Sequence, residues 1–527
     1  MDHFNRRRFL VASAPLALAL SGIGAPRAHA APADQRFGPP QPFDIDRLTQ
    51  QAAALAKKPY APVQPPAADI VNKIDFDAVQ KIKFRAGRTI WGDGSRPFPV
   101  RLFHLDKFNP LPVRINVVDG AAARQIIYSA DDFDYGGTDL AAKLPPDLGF
   151  SGFRVMNGPK VETDWLAFQG ASYFRSSGQE NQYGASARGI AVDTALSSKE
   201  EFPRFVEFWL DQPAAASSIT IYALLDGPSL TGAYRVVAKK ATGVITEVAA
   251  KLFIRNDIAR LGVAPMTSMY WYGQNEHPCT PDWRPQIHDS DGLALWTGSG
   301  ERIWRPLIDP PSVQTNSFVD QNPKGFGLLQ RDRDFADYQD DSAFYNRRPS
   351  IWVEPIGGWE AGAVQLVEIP TDDEIHDNIV AFWTPKAPVK AGNQLELSYR
   401  LHWQNDGPFP PTDVASVVAT RVGRGGVPGQ PAPDDKDKRK FVIDFAGGPL
   451  AKMAPRYDVE PVVTVSRGKT SNGYVIKVVG TEKWRAAFDL AAPGNEPIQL
   501  RCYLRLEGKT LTETWLYQYF PKAQCRP

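Results

Sequence analysis

The strongest constraint on what this chain can fold into is its punctuation. Forty-six prolines and forty-two glycines are spread through 527 residues. Between them, apolar residues alternate over short runs instead of repeating at helical spacing. Examples are PVRLFHL (99–105), ITIYALL (219–225), YRVVAKKAT (234–242) and VITEVAAKLFI (244–254). Proline lacks a backbone donor and glycine loses most entropy on ordering, so both collect at turns. Runs of period two, each closed by Gly, Pro, Asn or Asp, predict an all-β sandwich. Two helices are predicted before the strands begin. Ile45, Leu48, Ala52 and Leu55 repeat at helical spacing behind Asp44, and Val79 and Ile82 follow Asp75; each aspartate is a good N-cap.

The texture changes near residue 385. KAPVKAGN (386–393) reads as a linker, and after it LELSYRLHW (395–403), FVIDFAG (441–447), YVIKVVG (474–480), IQLRCYLRL (498–506) and LTETWLYQYF (511–520) alternate cleanly. The expected organisation is a large N-terminal β-sandwich over 31–385 and a smaller sandwich of immunoglobulin-like size over 394–527. Residues 1–30 are set apart as a leader. Asn5-Arg6-Arg7-Arg8-Phe9-Leu10 precedes a short apolar stretch, Val11–Leu20, and Ala28-His29-Ala30 offers a small-x-small cleavage site. This is the form of a twin-arginine export signal, and the apolar stretch is too short to span a bilayer. A mature chain in the bacterial periplasm is the expectation.

Sixty Lys and Arg nearly balance fifty-nine Asp and Glu, so no net field draws the protein to nucleic acid or to an anionic membrane. Cys279, Cys502 and Cys525 lack CxxC spacing; one bridge, Cys502 with Cys525, is compatible with an oxidising compartment, but a disulfide-built fold is excluded. Phosphate-loop, dinucleotide, nucleophile-elbow and HExxH signatures are absent or broken. No cofactor is implied.

Chemistry concentrates between Tyr270 and Trp383, a band with seven of the thirteen tryptophans and the runs RPQIHDSDG (284–292), NPKGFGLLQRDR (322–333), RRPSIWVEP (347–355) and HDNIVAFW (376–383). Polyhydroxylated ligands call for this mixture: ring faces for stacking, and carboxylates, amides and guanidinium groups for hydroxyls. Asp289 and Asp291 precede a glycine between Trp283 and Trp296, and Asp377 opens the apolar run IVAFW. A carboxylate at such a strand start can be desolvated and serve as an acid near neutral pH; it can equally be a turn residue binding backbone amides. On an alternating strand Asp289 and Asp291 would share a face with His288 turned away, which argues against a metal. Trp352, Phe382 and Trp383 read as core. Trp271, Tyr272, Asn275, Tyr345, Arg348 and Trp359 lie in loop-like contexts and are expected to face ligand, with Arg284, His288 and Asp291 beside them. Arg331 and Arg333 read mainly as salt-bridge partners.

SMYWYGQN (268–275), RPQIHDSDGL (284–293), RIWRPL (302–307), RPSIWVEP (348–355), DNIVAFW (377–383), ASYFRSSGQENQYGASARGIAVDTA (171–195) and EEFPRFVEFW (200–209) together resemble the periplasmic glucans biosynthesis family. The resemblance covers essentially the whole mature chain, and the twin-arginine leader is most similar to the family's D branch. It implies an N-terminal sandwich similar to galactose mutarotase and an immunoglobulin-like C-terminal sandwich. It also implies a role in making osmoregulated periplasmic glucans with a β-1,2-linked glucose backbone. The resemblance further implies an inverting endo-β-1,2-glucanase, with Asp377 as general acid, Asp289 (or its near neighbour Asp291) as general base and Tyr345 near the reacting sugar. An inverting pair must leave room for a water. The competing reading is a non-catalytic glucan-binding factor that guides, releases or helps branch nascent polymer. The expected partners are β-1,2-glucan and an inner-membrane glucan synthase; the oligomeric state is open, with a dimer among the options.

Overall fold

A computed structural model describes residues 36–213, 216–276, 282–407, 413–426, 429 and 438–521. The twin-arginine leader, Cys279 and Cys525 lie outside the described residues, as does most of the charged segment 434–440, expected as a hairpin tip. The chain is mostly strand with few helices, an all-β sandwich architecture. It divides into two compact units. One comprises Met1–Ser177, Ser186–Val263 and Pro388–Tyr399, the other Gly178–Ala185, Ala264–Ala387 and Arg400–Pro527.

In the first unit both predicted helices form. Asp44 accepts from the Arg47 amide at 2.8 Å to cap helix Ile45–Ala56, and Asp75 accepts from the Ala78 amide at 3.0 Å to cap Phe76–Lys81. Leu48 and Ala52, one turn apart, bury against Trp209, Leu224, Ala233 and Phe253. That face belongs to the antiparallel run Arg204–Asp211, Ser218–Asp226, Leu230–Lys240 and Val244–Ile254. Its other side meets a second layer containing Gly152–Met156, Asp164–Gln169 and Tyr173–Ser176. Phe153, Phe168 and Phe174 stack in series at 5.1 and 5.0 Å, with Phe208 edge-on and Phe205 tilted against Phe168. Alternation places one residue in two in this core, as period two requires.

In the second unit, strands Ser350–Pro355, Gly325–Leu329, Gly292–Trp296 and Arg302–Pro306 lie side by side. Arg302–Pro306 then pairs in parallel with Thr514–Tyr519, which pairs with Ile498–Leu506. A four-stranded sheet, Ser416–Arg424, Lys438–Ala446, Trp484–Ala491 and Lys469–Lys477, shares their core. Trp304, Trp352, Trp484 and Trp515 anchor it, with Phe441, Phe445 and Phe488 between them. Trp352 and Trp383 are buried, as the sequence pattern implied. Cys502 is wholly buried among these side chains, with no disulfide partner among the described residues.

Close approach of indole to backbone makes particular glycines obligatory. A β-carbon on Gly292 would fall inside the Trp304 ring, and one on Gly325 inside the Trp352 ring. Gly292→Ala should therefore destabilise the second unit by about 1–3 kcal/mol through overpacking, seen as a lower midpoint in chemical unfolding. An unchanged midpoint would show that the indole has room to move aside.

Candidate functional site

The site is built on a two-stranded ribbon of the second unit. Tyr270–Tyr272 pairs with Ile287–His288, and the register skips Trp271. A bulge re-aims the extra residue. Tyr270 and Tyr272 are buried while Trp271 remains half-exposed, edge-on to the Tyr272 ring at 5.2 Å. Beneath the ribbon, Met269, Tyr272, Ile287, Tyr338 and Tyr345 form a small apolar cluster of their own. The Tyr270 and His288 rings stack at 5.6 Å. The side chain of Asn378 holds the ribbon's free edge: its Oδ1 accepts from the Tyr270 amide at 2.9 Å, and its Nδ2 donates to the Tyr270 carbonyl at 2.8 Å.

The ribbon does not run on as a regular strand through 287–291, as the alternation reading supposed. The Asp289 amide donates to the Met269 carbonyl, whereas the Asp291 amide donates to Leu329, in the neighbouring sheet. The chain changes sheets between the two aspartates, so their side chains enter different surroundings. Asp289 is buried in an ion pair with Arg348, whose guanidinium lies 4.1 Å over the Tyr345 ring. The Tyr345 hydroxyl donates to Glu374. Glu374 is also held by Arg284 at 2.9 Å, and Arg284 reaches Asp340 at 2.9 Å and Asp282 at 3.0 Å. Burial acts against ionised Asp340, but hydrogen bonds from Ala343, Ser342 and Arg284 hold its carboxyl down at about 2. The Arg284 carbonyl accepts from the Tyr272 hydroxyl at 2.9 Å. One connected network thus joins Asp289, Arg348, Tyr345, Arg284 and Tyr272.

Asp291 faces a cleft on the other side of the ribbon, lined also by Tyr270, Asn275, Gln286, His288 and Asp332. Its Oδ2 accepts from the Arg331 and Asp332 amides, both at 2.9 Å, while Oδ1 has no hydrogen-bond partner. His288 is held at both ring nitrogens, by Gln330 at 2.9 Å and Gln286 at 3.0 Å, and Gln286 donates onward to Asp332 at 2.7 Å. Asn275 is committed to structure: it accepts from the Tyr270 hydroxyl at 2.9 Å and donates to the Leu307 carbonyl at 2.9 Å.

Asp377 immediately precedes the Asn378 clamp and is half-buried with no hydrogen-bond partner among the described residues. Asp377 and Asp289, distant in sequence, therefore both adjoin residues that hold Tyr270. Trp359 is not part of this assembly; it packs 6.2 Å from Phe326 and 6.1 Å from Trp383. Arg331 is the salt-bridge partner it was expected to be, whereas Arg333 binds backbone carbonyls instead of a carboxylate. Arg331 makes a two-pronged pair with Glu513 at 2.8 and 2.9 Å, and Arg333 donates to the Asn346 and Arg348 carbonyls, both at 3.1 Å. Gln286, Gln330, Asp332, Glu374 and Asn378 were missed in sequence. Only Glu374 and Asn378 carried a signal, their nearness to Asp377. No group of three or more His, Cys, Asp or Glu among the described residues is arranged to hold a metal.

Burial pushes the Asp291 carboxyl up to about 6, against the opposing pull of the Asp332 amide and Arg331. A carboxyl raised in the native state favours folding when protonated; that contribution is complete at low pH and is lost as pH climbs through about 6. Asp291→Asn retains an acceptor for both amides and does not ionise. Its stability relative to wild type should rise from about pH 4 to about pH 6.5, by at most about 3 kcal/mol, then level off. Thermal unfolding across that range checks this, and a difference flat in pH would refute it.

Comparison with known proteins converges on one group. The family model described as periplasmic glucan biosynthesis protein, MdoG, matches residues 43–519. Glucans biosynthesis protein D 2 of Ralstonia nicotianae is 52% identical over 98% of both chains. Glucans biosynthesis protein D of Xanthomonas oryzae pv. oryzae is 47% identical over 98% of both, and that of Stenotrophomonas maltophilia 46% over 99% of both. These relatives carry the names of biosynthesis factors, not of glycoside hydrolases, and this overturns the expectation that the chain is an inverting endo-β-1,2-glucanase with Asp377 and Asp289 as its acid and base. No helix among the described residues is long and apolar enough to cross a membrane. With the family model covering nearly all of the described chain and relatives alike from end to end, the protein belongs to the periplasmic glucan biosynthesis protein family.

Proposed function

We propose that this chain is a non-catalytic glucan-binding factor that receives the β-1,2-linked backbone of nascent periplasmic glucan as it leaves an inner-membrane synthase. In this reading the twin-arginine leader delivers it to the periplasm. The observation that carries the reading is a half-exposed indole, Trp271, on a ribbon whose edge carries an acceptor not spent within the protein. Asp377, half-buried beside that edge, has no hydrogen-bond partner among the described residues. A pyranose ring offers an apolar face for an indole and hydroxyl donors for carboxylates. The surrounding groups are already mutually bonded, so little order is lost on binding. The Asp289–Arg348 pair and the Arg284 hub then serve to hold Tyr345 and Tyr272 in place.

Titration of the mature protein with linear β-1,2-glucan, followed by calorimetry, tests this, with polymer length monitored in parallel. Binding is expected with polymer length unchanged. Trp271→Ala should weaken binding about tenfold, the scale of one aromatic contact, and Asp377→Asn by a similar factor, as for a hydrogen bond to a charged group. Absence of binding, or polymer that shortens during incubation, would overturn the reading.

A further inference from the structure

The first unit holds a pocket that the glucan reading does not use. It opens between the loop 108–111, the end of strand Asp164–Gln169 and the start of strand Arg204–Asp211, with about 650 Å³ of empty space counting its mouth. Phe108, Leu111 and Phe202 form apolar walls over Phe205 and Phe208, and Phe202 is 40% exposed. Arg188 lies over the Tyr173 ring at 4.8 Å and the Phe202 ring at 5.4 Å, holding both in place. Asp106 fixes the loop by accepting from the Phe108 amide at 2.6 Å and the Asn109 amide at 2.9 Å.

Arg204 lines this pocket with no ion-pair partner among the described residues. Its Nη2 donates to the Leu111 carbonyl at 3.2 Å and the Pro112 carbonyl at 3.4 Å, and its Nε and Nη1 donate to no described residue. The carboxylates around it are committed elsewhere. Asp226, its register partner, is paired with Arg255 at 3.1 Å. Glu200 is paired with Arg188 at 2.7 Å, and Glu201 accepts from the Ser229 amide at 3.0 Å. Burial lowers the affinity of Arg204 for its proton, opposed by the Tyr60 hydroxyl. A partly desolvated guanidinium with no anion is costly unless something supplies one.

We propose that this pocket binds an organic anion, its phosphate or carboxylate held by the unspent Nε or Nη1 of Arg204 and its carbon body lying against Phe202, Phe108 and Leu111. A guanidinium N–H makes a charge-assisted hydrogen bond to either anion. Walls that exclude water strengthen that contact. They also set the chemical class: a bare inorganic ion would leave the rings wet, and a neutral body would leave the charge unmatched. The site is composed entirely of first-unit residues, so it stands or falls separately from glucan binding.

The test is ligand-observed NMR titration of the mature protein with phenyl phosphate, phenol and inorganic phosphate. Phenyl phosphate should bind at least about tenfold more tightly than either fragment, the scale of a charge-assisted hydrogen bond. Arg204→Gln should abolish that advantage, Arg204→Lys should keep part of it, and Phe202→Ala should weaken phenyl phosphate while leaving inorganic phosphate unchanged. Phenyl phosphate binding no better than phenol, or equally well to Arg204→Gln, would overturn the proposal. Should Arg204→Gln fail to fold, the wild-type ligand comparison and Phe202→Ala decide it.

Discussion

The candidate site depends on one side-chain amide replacing a strand. The short ribbon Tyr270–Tyr272 has a partner on one side only, in Ile287–His288. On the other side Asn378 satisfies both backbone polar groups of Tyr270 and also donates to the Ile369 carbonyl at 2.9 Å. Buried backbone groups must be paired, and a neighbouring strand would have done this with a long continuous edge. A single asparagine does it at one residue, leaving Trp271 free to bulge outward and Asp377 beside the ribbon's edge. Neither consequence would survive if a full strand lay there.

Around that ribbon ionic packing is concentrated. Asp289 with Arg348, Arg284 with three carboxylates and Arg331 with Glu513 are all largely buried. Such pairs contribute little net stability, because desolvation offsets most of the Coulomb attraction. What they do supply is direction. Arg348 lies over Tyr345, Tyr345 donates to Glu374, and Glu374 returns to Arg284. Each ring is thereby held from both face and edge, which an apolar core of the same volume would not do. A rigid polar surface is what recognition of a flexible, hydroxyl-rich polymer requires, since the polymer brings its own ordering cost.

Much of the fold was legible because it follows from period and punctuation. Val244–Ile254 forms a strand with the bounds read from alternation, and Asp44 and Asp75 cap the helices expected of them. The apolar band also read correctly as a mixture, with Trp352 and Trp383 buried and Trp271 half-exposed. What escaped were residues whose role is set by tertiary neighbours. Asn275 looked ligand-facing but closes hydrogen bonds to Tyr270 and Leu307; Trp359 looked ligand-facing but packs on Phe326 and Trp383. Gln286 and Gln330 gave no local signal, because an amide becomes a histidine clamp only when another segment supplies the histidine.

The two aspartates of the HDSDG run show why spacing alone could not assign them. A strand would have placed Asp289 and Asp291 alike, on one face with similar surroundings. The change of sheet between them instead gives Asp289 an arginine and Asp291 two backbone amides. One carboxylate is paired directly with a full charge; the other is held by two backbone amides and a more distant Arg331 within a desolvated cleft, and burial pushes its carboxyl up to about 6. The same residue type, two positions apart, thus becomes a fixed strut in one case and a titratable acceptor at the cleft in the other. The chemistry of this site is therefore set by where the backbone leaves one sheet for the next, a property of the fold rather than of the motif.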